Sequence, residues 1–479
     1  MTSHQKARIF QLLGMSILLV FALLYSMEEI GMSGNEASRF ATIQAVAEQG
    51  TFAIEKTNFR TVDKLFIDGH LYSDKPPFMA WCIGMLARPF CEMKMVNFVD
   101  NYYLLVYLID LIFAGGVNIL IFWWLFNMFR RVRKGSLGVK FLLALGCTLG
   151  TWLFSYSVVI NNHTPAALCV LGLFIALDKF RRRPNKFTAI LAGAMCGLLG
   201  AFEIPAGVFF SPAMVLALAL SAPRKERFGY AAVGALTAVF CAEGLLCLNY
   251  YAYSSVLPLY IADHGSFSPA IPGSDILIYI SECLFTYRGV FSYQPFLLLA
   301  LPGIWLRRGK LPRFEWTLVA ASAVFTLFYL LFTNEYGGAA YGFRYLIPMI
   351  PLWYFFAGRW VLEARCKWLS AVAALLILCG VATSWIGTYS PFCVSFEGYR
   401  TPQGHFSRVV RSSFGGNLLC WSYEKAPDSE LTRRLIRHYG REAAFLHLRA
   451  SYFSLKRIDM LGKLREDIVA SVAKAPSDR

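Results

Sequence analysis

The sequence predicts an all-α polytopic membrane protein: a bundle of about eleven transmembrane helices, with juxtamembrane helices in its first extracytoplasmic loop. Three observations carry that expectation. Of the 479 residues, 57% are hydrophobic and only 16% charged, with a mean hydropathy of +0.49, values foreign to soluble domains. Apolar runs recur from Ile9 nearly to Tyr389, many long enough to cross about 30 Å of hydrocarbon as helices. Lys and Arg gather in short clusters beside these runs, the pattern that orients a membrane protein. Backbone polar groups in lipid must pair within their own segment, so the spans are read as helices. The formal charge of +16 would suit nucleic acid, but its placement beside the spans argues for no nucleic-acid partner.

The first apolar run, Ile9 to Tyr25, follows Lys6 and Arg8 as a signal-peptide core would. The next residues, Ser26-Met27-Glu28, lack a small-residue cleavage pattern, so the run is read as an uncleaved first span. Lys6 and Arg8 set the N-terminus in the cytoplasm, together with the clusters around 130–134, 179–186, 224–227, 307–313 and 365–367. Between Tyr25 and Arg130 that assignment requires an odd number of crossings. Tyr102 to Phe129 supplies one. Pro77 to Phe90 is short and begins with two prolines, so it is expected to lie at the interface or to re-enter.

The remaining spans alternate: Val139 to Ile160, Pro165 to Asp178, Phe187 to Phe202, Gly207 to Leu220, Phe228 to Tyr250, Val290 to Leu306, Trp316 to Phe332, Tyr345 to Val361 and Leu369 to Gly387. The bundle thus occupies residues 1–387, with its first extracytoplasmic loop at 27–101. A polar C-terminal segment, 388–479, follows on the extracytoplasmic side, as do the loops around His163, Asp263 to Arg288 and Asn334 to Arg344. Within the tail, Glu430 to Lys474 is patterned as basic helix suited to anionic headgroups. No internal repeat is evident, which counts against a transporter of inverted halves. Most of the twelve cysteines fall in spans and act as small hydrophobes. Cys393 and Cys420 lie in the tail and form one candidate pair.

Between the first spans sits a polar island, Gly34 to Trp81, long and charged enough to be more than a connector. Glu36 to Gln49 has helical periodicity, with Phe40, Ile43, Val46 and Ala47 on one face and Arg39 and Gln44 off it, as for a helix lying on a membrane surface. Two Asp-Lys pairs follow, Asp63-Lys64 and Asp74-Lys75, the second running into Pro76-Pro77. Asp110, Glu203 and Glu243 stand in apolar surroundings, where ionisable groups are costly and functional by default. Glu203 falls near the outer surface.

The stretch TVDKLFIDGHLYSDKPPFMAW resembles the first extracytoplasmic loop of the C-type (GT-C) membrane glycosyltransferases, a superfamily that includes protein O-mannosyltransferases and lipid A aminoarabinose transferases. Tyr72, Asp74, Lys75, Pro76 and Pro77 match its aromatic-acid-Lys-Pro-Pro motif. An Asp-Glu pair opens the family's loop, and here Asn35-Glu36 stands in its place. Similar elements recur at Asn161-Asn162-His163, at Glu203-Ile204-Pro205, along Thr286 to Pro295 and from Tyr336 to Tyr345, so the resemblance covers roughly Gly34 to Pro351.

It implies a polyprenyl-phosphate-linked sugar donor, membrane-lipid surroundings, and transfer with inversion to a lipid, glycan or protein acceptor outside the cytoplasm. Such transfer needs a carboxylate to take the acceptor's proton and a cation to hold the departing phosphate. The candidate bases are Asp74 first, Glu36 second and Asp63 third. Arg344 and Lys75 lead the phosphate ligands, with Arg39, Arg288 and His163 beside them, and Glu203, Tyr72 and Tyr341 are candidates for the acceptor cavity.

Each has a plainer reading: an Asp74–Lys75 ion pair before a turn, a snorkelling Arg344, a His163 that orders its own turn. No two His residues share close spacing, so no metal site is assigned and metal dependence stays open. A lipid-linked glycan transporter, or a carrier-lipid-binding protein without turnover, is the alternative.

Overall fold

A computed structural model describes residues 2–27, 34–256, 276–286, 288–333, 337–338, 340–364, 366–392, 413–440, 444 and 448. Cys393, Tyr287, Tyr336, the loop from Asp263 to Ser274 and most of the basic stretch toward Lys474 lie outside the described residues. Cys420 is buried.

The described residues are mostly helical, and among them seven helices are long and apolar enough to cross a membrane. They are α1 (Ser3–Tyr25), the rod made by α4 (Tyr102–Asp110) and α5 (Gly116–Arg131) through one π-helical turn, α8 (His163–Arg182), α10 (Ile204–Ser221), α11 (Arg227–Tyr253), α15 (Arg313–Phe332) and α17 (Lys367–Gly387). Shorter apolar helices stand among them: α6 (Leu137–Leu149), α9 (Lys186–Phe202) and α14 (Ala300–Leu306), the last preceded by a 3-10 turn from Pro295. Side-chain caps start several of these elements, as where Ser136 accepts from Val139 N and Asn185 from Thr188 N, satisfying amides that a helix leaves unpaired.

Three expected spans are broken. Val139 to Ile160 stops at Gly150, where the backbone of α17 comes so close that a Cβ on Gly380 would lie 2.4 Å from the Gly150 carbonyl oxygen. Thr151 then caps α7 (Trp152–Ser155), and everything from Trp152 to Ile160 is buried, the part after Ser155 as irregular core. After α12 (Ile276–Leu284), Val290 to Leu306 splits into α13 (Val290–Tyr293), the 3-10 turn and α14, because Pro295 cannot donate to a helical ladder. Tyr345 to Val361 begins as a 3-10 turn, Arg344–Met349, through Pro348 before becoming α16 (Ile350–Ala364).

α8 sits at the centre, with 83% of its most apolar window buried. Phe174 on it packs at 5.2 Å from Phe355 and 5.4 Å from Phe314, tying α8 to α16 and α15. α8 presents His163 at one end and Asp178, Arg181 and Arg182 at the other. At about 1.5 Å per residue those ends lie nearly 30 Å apart, one hydrocarbon thickness.

The first loop folds against one end of this bundle. α2 (Gly34–Gln44), prolonged by a π-helical turn to Gln49, is not laid on a surface: Glu36, Arg39 and Gln44 are as buried as Phe40 and Ile43. Its polar side is covered by a hairpin of β1 (Lys64–Ile67) and β2 (His70–Ser73), and its apolar side by α3 (Phe78–Glu92). Asp68 and Gly69 turn the hairpin with φ of 50° and 87°, the conformation that a two-residue Asp-Gly loop favours. α3 is the short helix expected between Pro77 and Phe90, and its Gly84 packs on α2 so closely that a Cβ would sit 2.7 Å from Val46.

In the tail, α18 (Ser413–Lys425) docks on the bundle: Asn417 donates to the carbonyls of Ile386 and Ser390, both at 3.1 Å. α19 (Glu430–Tyr439) packs on α18.

The loop before the Arg344 turn depends on glycine. Gly342 has φ of +76°, and a Cβ there would fall 2.2 Å from the Trp152 ring. Gly342→Ala is expected to cost about 2–4 kcal/mol from left-handed strain and overpacking together. Thermal unfolding of the purified variant checks this; an unchanged Tm would show that the loop relaxes freely.

Candidate functional site

Arg39 is the hub of a charged cluster beside the loop-covered end of the bundle. One turn of α2 separates it from Asn35, so its Nη1 donates both to the Asn35 carbonyl at 3.0 Å and to the Asn35 side chain. Its Nη2 donates to Asn162 Oδ1 at 2.8 Å. Asn162, just before α8, passes the contact on: its amide donates to Glu203 Oε2 at 2.9 Å and to the Phe202 carbonyl at 3.0 Å. Glu203 occupies the extended joint between α9 and α10. His163 Nδ1 lies 2.8 Å from its Oε2, and Tyr329 donates to its Oε1 at 2.5 Å.

Tyr329 in turn stacks on Tyr345, ring centres 4.4 Å apart and 12° from parallel. Arg344 lies between Tyr345 and Phe392, its guanidinium carbon 5.9 and 5.4 Å from the two ring centres. Arg344 Nε is buried with no acceptor among the described residues. Burial pushes the Arg39 guanidinium down to about 10, the nearby charge of Arg344 pushes the same way, and Asp74, Asp63 and Glu203 oppose it. The Arg39 and Arg344 guanidiniums thus act on each other directly. They crowd each other, which favours an anion between them.

The carboxylates come from the hairpin. Ser73, at the inner end of β2, meets Ser38 of α2 Oγ to Oγ at 2.6 Å, and Ser38 donates to the Asp63 carbonyl at 2.7 Å. These bonds hold both ends of the hairpin on α2. Lys75 Nζ consequently bridges Asp63 and Asp74, 2.9 Å from each. The other Asp74 oxygen, Oδ1, is buried with no hydrogen-bond partner among the described residues. Tyr253, at the end of α11, is within electrostatic reach of Asp74, and its hydroxyl likewise lacks a described partner. A buried polar atom without a partner costs about 1–3 kcal/mol, and three of them beside one cluster mark a place suited to a polar ligand.

The structure therefore brings together Arg39, Asp63, Asp74, Lys75, His163, Glu203 and Arg344. Other candidates fall elsewhere. Glu36 is wholly buried and acts electrostatically on Asp110, whose Oδ1 accepts from Ile160 N at 2.7 Å. Arg288 spends its Nη1 on the carbonyls of Gly338 and Ala340, at 2.9 and 3.1 Å, so it pins the glycine-rich loop that presents Arg344. The Tyr341 hydroxyl donates to the Thr383 carbonyl at 2.6 Å, inside the core rather than in a cavity. Tyr72 packs edge-on to Tyr253 at 5.3 Å. Glu243 is exposed on α11.

Asn162, Tyr253, Tyr329 and Tyr345 were missed as site residues. Asn162 stood inside the Asn-Asn-His element, but a tyrosine at the end of an apolar helix reads first as an interfacial anchor. Among the described residues no three His, Cys, Asp or Glu side chains are grouped to hold a metal ion.

Burial raises the Glu203 carboxyl, but His163, the Tyr329 hydroxyl and the charge of Arg344 outweigh it and hold it below its ordinary value. A carboxyl lowered on folding stabilises the protein above its unfolded value, and that stability is lost as pH falls through the folded one. The Tm of wild type is thus expected to fall on acidification below the ordinary glutamate range, and that of Glu203→Gln to fall less. Parallel Tm curves for the two proteins would dismiss the network as a pH-linked element.

The fold and this cluster define an all-α integral membrane protein with a buried, mixed-charge site at one end of its helices. No protein-family model matches the chain, and no curated protein sequence does.

Proposed function

We propose that the protein is a C-type membrane glycosyltransferase that moves a monosaccharide from a polyprenyl-phosphate donor to a lipid, glycan or protein acceptor, with inversion. One observation carries the reading. Two guanidiniums, the buried Arg39 and the half-buried Arg344, share a site with Asp74, a carboxylate that has one oxygen committed to Lys75 and one buried without a described partner. A pair of neighbouring guanidiniums suits a phosphate, and the idle carboxylate oxygen suits a hydroxyl or amine proton.

In the reaction the acceptor's nucleophilic atom attacks the sugar's anomeric carbon on the side opposite the phosphate. Asp74 takes the proton of that nucleophile. The bond from the anomeric carbon to the phosphate oxygen breaks, its electron pair stays on the phosphate, and polyprenyl phosphate departs against Arg344 and Lys75. Arg39 holds Asn162 and Glu203 in place and adds positive charge. Asp63 shares Lys75, which keeps that ammonium near Asp74 rather than making Asp63 the base. Glu203, His163 and Tyr329 form a neighbouring polar wall for the acceptor.

The reading includes about eleven crossings, made from the seven long helices and the shorter or broken ones between them. It also includes a multi-pass place in the cell membrane, with the N-terminus cytoplasmic and the Arg39 cluster outside. The basic ends of α5, α8 and α9, at Arg130-Arg131, Lys179 to Arg182 and Lys186, fit that orientation.

Membranes carrying the chain, supplied with radiolabelled polyprenyl-phosphate sugars one at a time, test the proposal. One donor is expected to yield free polyprenyl phosphate and a labelled acceptor together. Movement of intact donor across the membrane without its cleavage would favour a transporter, and saturable binding without cleavage a carrier-lipid-binding protein.

A further inference from the structure

The end of α8 remote from His163 opens into a cavity of about 460 Å³, walled by the ends of α5, α8, α15 and α16 and by the turn before Pro312. Eight Lys or Arg side chains line it against three carboxylates. Asp178 is shared by Arg131 at 3.3 Å, Arg181 at 3.5 Å and Arg182 at 2.7 Å. Glu315 receives Arg359 through both oxygens, at 2.8 and 2.7 Å, and Glu363 pairs with Arg307. Arg133 and Lys310 have no carboxylate partner among the described residues. Positive charge is therefore left over in a partly enclosed space.

Burial, and then the neighbouring charge of Arg359, push the Arg307 guanidinium below its ordinary value. The Nε atoms of Arg307 and Arg359 are buried with no acceptor among the described residues, although the Arg359 side chain is only 9% exposed. Both conditions would be relieved by an anion with several acceptor oxygens.

A second cavity, about 320 Å³, adjoins the first and shares Met128, Arg131 and Ile175 with it. It runs along α5 from the basic end past Asn127 to Trp123 and Trp124, with Gly172 of α8 and Met195 of α9 behind. A Cβ on Gly172 would lie 2.6 Å from Met195 Sδ and 2.9 Å from the Trp124 ring, so glycine is what lets these walls meet. Trp123 is 39% exposed on a helix long and apolar enough to cross a membrane. A basic chamber continuous with an aromatic, lipid-facing groove matches a molecule with an anionic head and an apolar tail.

We propose that these adjoining cavities bind one anionic glycerophospholipid, with its phosphate among Arg133, Arg307, Lys310 and Arg359 and an acyl chain along Trp123 and Trp124. The site lies a hydrocarbon thickness from the Arg39 cluster and is independent of the transfer reaction.

The test uses the purified full chain in detergent, offered phosphatidylglycerol, phosphatidylcholine of the same chains, or soluble glycerol phosphate, with bound lipid counted by native mass spectrometry and Tm followed in parallel. Phosphatidylglycerol is expected to be retained at one per chain and to raise Tm, and the other two at equal concentration are not. Arg133→Gln/Lys310→Gln removes two unpaired cations and is expected to weaken retention about tenfold or more, leaving lipid-free Tm unchanged. Phosphatidylglycerol with brominated acyl chains is expected to quench tryptophan fluorescence in wild type and much less in Trp123→Phe/Trp124→Phe, a readout that does not need the charge variant to fold. Equal retention of phosphatidylcholine, an equal Tm rise with glycerol phosphate, or undiminished quenching in the tryptophan variant would each overturn the proposal.

Discussion

Asp74→Asn is expected to abolish nearly all transfer, lowering kcat by about 10²–10⁴-fold, the usual worth of a positioned general base. The substitution keeps the size and the Lys75 contact, and Lys75 retains Asp63 at 2.9 Å, so the hairpin is expected to hold and Tm to change little. What disappears is proton-accepting power at an oxygen that now has no described partner. Donor KM should move far less than kcat, since the acceptor's proton, not the donor's phosphate, is what Asp74 serves. Initial rates with the labelled donor, measured on equal amounts of folded protein, make the comparison. Transfer by Asp74→Asn at the parental rate would remove Asp74 from the chemistry and leave its ion pair with Lys75 as its whole role.

Arg344→Lys should lower kcat by about 10²–10³-fold, as expected when a donor aimed at developing charge is lost. Lysine keeps the charge but not the planar fork, and it cannot rest between Tyr345 and Phe392 as a guanidinium does. The loop itself should survive, because Arg288 fastens it through Gly338 and Ala340 and Gly342 seats it on Trp152. Single-turnover release of polyprenyl phosphate separates this step from product exit. If Arg344→Lys releases phosphate as fast as the parent, the cation that matters is Arg39 or Lys75.

Much of the site could be read in advance because its chemistry is concentrated. Asp74 and Lys75 stand together before two prolines, and Arg344 interrupts an aromatic, glycine-rich run, so residue type and neighbourhood point to both. Glu203 stood out for a simpler reason: an acid between two apolar helices must have partners. Tyr329 and Tyr253 carried no such mark, since only the angle at which α15 and α11 reach the cluster turns a common interfacial residue into a ligand of Glu203 or a neighbour of Asp74. For Arg288 and Tyr341 the sequence shows residue types without saying which face of a loop they occupy, and the fold turns both onto backbone carbonyls.

The helical, membrane-spanning character of the chain was determined by its sequence alone, because burial of apolar runs in lipid and the pairing of backbone groups within each run are local demands. The basic clusters, likewise, could be assigned together to one set of helix ends. Tertiary structure decided where helices break, since the stop at Gly150 depends on the approach of Gly380, 230 positions later in the chain. It also decided that α2 is enclosed rather than spread on a surface, and that Arg39, Asp74, Glu203 and Arg344 share one site. Charges so far apart along the chain meet only through the packing of α8 against its neighbours, and no pattern within a single segment encodes that distance.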